Sequence, residues 1–235
     1  VLEVILYIHD QICRTKVQLM APTGRAARRM AESTGYEEAS TIHMALGLLG
    51  ESSDFQPDWD YLSADFLNLD EVSMVDMHLG YEFFRRVKPE ARILLVGDVD
   101  QLPSVGAGDV FRQLISCGLI PVTRLEAVFR QGASSSIYLN AKKMQENRTD
   151  FQFGEDFYFI SCATAEETAE TVRHLYQKEI GRYGLDGVQI LTPYKNKTVN
   201  GSKALNQSVE DLVNPPDTGK KEVTAGSQTF REGDK

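Results

Sequence analysis

Apolar residues occur along this chain in short blocks, and their spacing alternates between two habits. Residues 1–11 carry apolar side chains at positions 1, 4, 5 and 8, the spacing of a helix face. Residues 17–21 form a brief apolar run stopped by Pro22-Thr23-Gly24. They read as a buried strand that feeds a helix over 25–34. A short helix is expected over 41–49, with Ser40 or Thr41 as its N-cap. Residues 66–70 and 92–97 are strands that each run into an acid, with a helix over 75–87 between them. A helix over 109–117 and a strand over 122–125 continue the pattern. Short apolar strands alternating with helices predict an α/β protein built on a parallel sheet with helices on both faces, since parallel strands need crossovers.

Beyond residue 130 the blocks become more polar. A helix is expected over 134–148, a strand over 157–161, and a helix over 166–183 whose stripe is Ala169, Val172, Tyr176, Ile180 and Tyr183. A strand over 188–192 and a helix over 199–213 follow, then a Pro/Gly/Lys-rich linker over 214–221. The change of texture sets a boundary between residues 1–122 and 123–235. The first part carries a polar insertion at 50–63 that holds Phe55, Pro57 and Trp59.

With 42% hydrophobic residues, the 235-residue chain has material for a real core. A net charge of −9 argues against a broad basic surface for nucleic acid, but leaves room for a narrow groove that holds one strand by stacking. Cys13, Cys117 and Cys162 have no metal-type spacing and fit reduced thiols in the cytoplasm. The apolar start is too short for a membrane span and is interrupted by Glu3. The chain opens without Met, inside an apolar run, and closes mid-phrase on Phe230 to Lys235, which leads us to expect a piece of a longer protein.

Three segments carry chemistry. Asp70-Glu71 ends an apolar strand, and ligands of open parallel sheets sit at carboxyl strand ends. Asp70 can hold magnesium beside phosphates, and Glu71 can orient or deprotonate a water. Gly97-Asp98-Val99-Asp100-Gln101 ends a second strand about thirty residues on, which puts a second acid, Asp98, on the same rim. Gln101 both donates and accepts hydrogen bonds, so it can sense a terminal phosphate. Arg130, past the boundary, has the fixed charge and bidentate geometry for reaching a phosphate from a second domain. Pro22, Thr23 and Arg25, at a strand-to-helix turn, suit a phosphate backbone. An acidic pair, a Gly-Asp turn or a lone Arg each has an ordinary structural reading. Two acidic strand ends on one rim make a site by geometry.

Taken together these segments resemble the superfamily 1 helicases of the RecD/TraA group, in the 5′-to-3′ branch. APTGRAA (21–27) resembles motif Ia, STIHMALG (40–47) the next DNA-contacting motif, DEVSMVD (70–76) motif II, GDVDQLPSVG (97–106) motif III and LEAVFRQ (125–131) motif IV. LTPYKNKTVNGSKALN (191–206) resembles a later segment of the group. The resemblance implies a RecA-like first lobe over 1–122 and part of a second RecA-like lobe over 123–235. It implies ATP and Mg2+ as cofactors: Asp70 and Glu71 at the metal, Gln101 and Asp98 beside the nucleotide, and Arg130 as an arginine finger. Pro22, Thr23, Arg25, Thr41 and His43 would line the path of single-stranded DNA. It implies a DNA helicase acting at single strands and duplex ends, in repair or recombination, with nuclease or helicase subunits as possible partners, as in exodeoxyribonuclease V. A silent DNA- or partner-binding module is the competing expectation, because no G-x-x-x-x-G-K-[ST] loop occurs in these residues. The insertion at 50–63 stands where the group carries a small hairpin.

Overall fold

The structure, a computed structural model, describes residues 1–13, 15–48, 61–125, 135–196, 198–217, 219–225 and 228–234. The chain divides into two compact units, Val1–Gln131 and Gly132–Lys235.

The first unit holds helix α1 (Leu2–Ile12), strand β1 (Val17–Ala21), helix α2 (Gly24–Thr34), the two-residue strand β2 (Ser40–Thr41) and the single turn α3 (Ile42–Ala45). Strand β3 (Phe66–Leu69), helix α4 (Met77–Phe84), strand β4 (Arg92–Leu95) and helix α5 (Val110–Ser116) follow. The strands form one sheet in the order β2-β1-β3-β4, every pair parallel. This is the α/β class that the alternating blocks predict. The register follows from two-sided burial. Leu19 and Ala21 of β1 and Phe66 of β3 pack with Leu6, Ala27 and Met30 on one face. Met20, Leu67 and Leu69 pack with Val75, Leu79, Phe83 and Phe111 on the other. A one-residue slip would exchange the two sets.

Local chemistry trims the elements. The helix expected over 41–49 stops at Ala45, because Gly47 turns left-handed (φ 64°) and Leu48 N–H closes on His43 O at 2.8 Å. The helix expected from 75 begins at Met77, where the Asp76 carboxylate accepts from Leu79 N–H at 2.8 Å. Residues 122–125, expected as a strand, pair with no strand among the described residues.

The second unit holds helix α6 (Ser136–Gln145), helix α7 (Ala165–Tyr183), helix α8 (Ser202–Val213) and a hairpin of strands β5 (Glu222–Ala225) and β6 (Gln228–Arg231). Segments 157–161 and 188–192, expected as strands, join no ladder among the described residues. Among the described residues no strand lies beside them, and without one a strand-like composition has nothing to pair with. The expected linker 214–221 is tied down. Asn214 is buried, donates to Asp234 Oδ1 at 2.7 Å and to Glu232 O at 3.1 Å, and accepts from Lys220. Most of the insertion at 50–63 lies outside the described residues.

Candidate functional site

Four parallel strands send all their carboxyl ends to one rim, and backbone bonds past the strand ends fix the order of the loops there. Asp70 N–H donates to Met20 O at 2.9 Å, which carries the β3 exit one residue further along β1. Val96 N–H donates to Leu69 O at 2.8 Å, and Val72 N–H returns to Val96 O at 3.0 Å. The acidic turn is therefore held between the ends of β1 and β4. Asp70, Glu71 and Asp98 come off adjacent strands onto the same rim.

Glu71 adopts a left-handed backbone (φ 53°, ψ 41°) before a 3-10 turn over Val72–Met74. For a residue with a Cβ this costs about 1–2 kcal/mol, and strain of this kind concentrates at functional turns. Asp70 is half-buried, and its Oδ1 accepts from Glu71 N–H at 2.9 Å, which fixes the plane of the carboxylate. Gly97 makes the close approach of the two loops possible: a Cβ there would lie 3.1 Å from Val72 N and 3.2 Å from Ser73 N.

The Asp98 carboxylate is engaged within its own loop. Oδ1 accepts from Asp100 N–H at 3.0 Å and Oδ2 accepts from the Gln101 side-chain amide at 3.2 Å. Asp98 thus aims Gln101. Gln101 is exposed and shares an open depression of about 440 Å³ with Met74, Asp100, Leu102 and Pro103. Met74 belongs to the acidic turn, so the depression joins the two strand-end loops.

At the other half of the rim, Thr23 and Thr41 each cap a helix. Thr23 Oγ1 accepts from Ala26 N–H and Thr41 Oγ1 from Met44 N–H, both at 3.2 Å. Each hydroxyl keeps its own proton to donate. Arg25 and His43 are exposed in the first turns of those helices, and Pro22 is half-buried beside Thr23. The sheet therefore brings together every expected site residue except Arg130, which lies outside the described residues. Sequence reasoning missed Asp76, Ser104 and Gly106. The glycines of 106–108 were the available signal, but which surface they approach is a tertiary matter.

Magnesium and a nucleotide can be tested against these residues. Among the described residues no group of three or more His, Cys, Asp or Glu gathers as a metal cage. Magnesium is normally held by one or two carboxylates, with phosphates and waters completing its shell, and the fixed Asp70 carboxylate beside Glu71 fits that pattern. An amide cradle of the G-x-x-x-x-G-K-[ST] kind is not among these residues. No helix among the described residues is long and apolar enough to cross a membrane.

Residues 1–165 match the family model described as AAA domain. The chain is 35% identical over 204 residues to the "ATP-dependent RecD2 DNA helicase" of Deinococcus radiodurans, which covers 87% of this chain and 27% of that protein. It is 32% identical over 139 residues to the "RecBCD enzyme subunit RecD" of Haemophilus influenzae, covering 50% of this chain and 22% of that protein. The chain thus spans about a quarter of the length of these relatives. Among solved structures, a Bacteroides Pif1 helicase in complex with ADP-AlF3 and ssDNA overlays with a TM-score of 0.43 at 16% identity, over 84% of this chain and 55% of that one.

Proposed function

The chain belongs to the AAA domain family, and on that premise we propose that it supplies the metal-holding, water-activating and strand-gripping parts of an ATP-driven DNA helicase of the RecD type. The observation that carries this reading is the shared rim, where Asp70 and Glu71 leave one strand, Asp98 and Gln101 leave its neighbour, and Val72 N–H bonds Val96 O at 3.0 Å between them. Magnesium-bound ATP would supply the phosphoryl group whose transfer drives movement. Asp70 would hold the magnesium. Glu71 would orient the attacking water and take its proton. Gln101, aimed by Asp98, would contact the terminal phosphate, and Arg130 would reach the same charge as part of a second motor lobe. Pro22, Thr23, Arg25, Thr41 and His43 would grip the backbone of single-stranded DNA through hydroxyls, helix N-termini and a cation.

In this reading residues 1–122 are the first motor lobe and 123–235 part of the second, in a cytoplasmic protein that meets single strands, duplex ends and other helicase or nuclease subunits. The acidic balance of the chain, −9, favours weak, salt-sensitive DNA binding by a narrow groove.

The test is ATP hydrolysis, with and without single-stranded DNA, by the complete coding sequence that contains this chain and by the 235-residue chain alone. Stimulated turnover is expected from the complete protein, falling by about 10²–10⁴-fold in Glu71→Gln. No turnover is expected from the chain alone. Parental turnover in Glu71→Gln sinks the reading. The lack of a phosphate loop in these residues favours one second reading, a silent DNA- or partner-binding module. Binding without turnover in the complete protein would select it.

A further inference from the structure

The loop that carries Gln101 is fastened to the acidic segment twice, and the second fastening has no role in the function proposed above. The first is the Val72 N–H to Val96 O bond at 3.0 Å, where the loop leaves β4. The second lies at the loop's far end. Met77 N–H, the first amide of α4, donates to Ala107 O at 2.9 Å. Gly106 lies so close over Asp76 that a Cβ would come within 2.7 Å of Asp76 Cγ and 2.8 Å of its Cβ. The Asp76 side chain cannot swing aside without cost, because it caps α4 through Leu79 N–H at 2.8 Å. Gly108 adopts φ 103°, open to glycine, with Met77 Cβ 3.0 Å from where its own Cβ would stand. Ser104 Oγ lies 2.9 Å from Gly106 O and 2.8 Å from Gly108 O, so one hydroxyl proton serves both carbonyls and folds the glycine segment onto α4.

We propose that Ser104, Gly106 and Asp76 form a positioning latch that fixes Gln101 relative to Asp70 and Glu71. The two fastenings bracket the loop: residue 96 is held to 72, and residues 106–108 to 76–77. Between them hangs the turn in which Asp98 aims Gln101. A displacement of Gln101 is then carried into the 72–77 segment and so into the acidic turn, and a displacement of the acidic turn moves Gln101. In the proposed function none of the three latch residues is assigned a contact with the nucleotide. They act through the spacing of groups that do. The latch deepens the helicase reading and rests on it for its effect on turnover, but its mechanical part is measurable without nucleotide.

Two measurements test it. In amide hydrogen exchange on the 235-residue chain, Gly106→Ala should lose protection at Met77 and, through the bracket, at Val72 as well. In the complete protein, Gly106→Ala should lower kcat by about a hundredfold, the cost of misplacing a group by ~1 Å, with KM for ATP unchanged. Ser104→Ala, which adds no bulk, should lower kcat in the same sense, and Ser104→Thr should restore it. Loss of protection confined to Met77, or parental kcat in Gly106→Ala, overturns the latch. A fall in thermal stability with kcat and KM moving together likewise reduces these residues to scaffolding. If Glu71→Gln retains turnover, the helicase reading fails instead, and joint exchange at Val72 and Met77 still decides whether the bracket exists.

Discussion

The two units use similar residues to different ends. In the first, β1 and β3 are wrapped on both faces, and Leu67, Met20, Ala21 and Phe83 are sealed from solvent. In the second, the 19-residue helix α7 has no buried residue, and Leu205 is the one buried apolar side chain among the described residues. Large apolar residues are not what is lacking: Tyr158, Phe159 and Ile160 are all exposed in the second unit. The difference is that β1 and β3 of the first unit have strands on both sides to give them ladders, and helices to cover them. In the second unit polar groups provide much of the order. Asn140 clasps Gln152 through both backbone groups, at 2.6 and 2.8 Å. Arg231 ties the hairpin to Glu222 at 2.7 Å and lies near Glu210 and Asp211. Burial organises one unit, and hydrogen bonding of chain ends and loops organises the other.

The strongest way to break that contrast is to empty the core. Leu67→Ala should destabilise the first unit by about 2–5 kcal/mol, towards the upper end because both faces are packed, while Leu205→Ala should cost the second unit towards the lower end. Denaturant unfolding read separately for each unit checks it. Equal losses would mean the second unit has a core of the same kind.

A smaller effect is expected from proline. Val96→Pro removes the donor to Leu69 O and leaves a buried acceptor short, at about 1–3 kcal/mol. Phe159→Pro, in a segment without a ladder, should be nearly silent by the same measurement. A comparable loss at Phe159 would show that the segment pairs after all.

The smallest effects are those of pH, and they separate the units at opposite ends of the scale. In the first unit, Tyr36 is pushed up to about 12 by burial and by its hydrogen bonds to Asp10. A raised pKa gives stability that is whole below about pH 10 and is lost as pH rises towards 12. In the second unit, the hydrogen bond from Arg148 holds Asp150 down at about 2. Asp156 is lowered chiefly by the Ser135 hydroxyl, and Asp234 by the backbone amide of Arg231. Lowered carboxylates give stability present above about pH 4 and lost as pH falls towards 2. Asp150 and Asp156 are exposed and Asp234 is only half-buried, so the change is small. Tyr36→Phe should flatten the alkaline arm of the stability curve and Asp150→Asn the acid arm. Either substitution acting on the wrong arm would undo the assignment.

Much of the site was legible because it is written in contiguous residues. Asp70-Glu71 and Gly97-Asp98 each follow an apolar run, and a parallel sheet leaves the exits of its strands only one rim to occupy. The engagement of Asp98 with Gln101 was not legible, since it depends on the turn that Asp100 N–H closes. Nor was the approach of Gly106 to Asp76, because residues thirty apart carry no mark of the surface they will share.

The sequence alone determined which blocks are apolar, which residues break them and which acids stand at their ends, because periodicity and turn chemistry are local properties of the chain. The tertiary structure decided which apolar blocks became strands. A backbone hydrogen bond between strands needs a second edge, and β1, β3 and β4 found one where, among the described residues, 157–161 and 188–192 did not. It also decided which glycines serve as contact points and how the two acidic exits are spaced. Those distances are set by the packing of segments far apart in the chain.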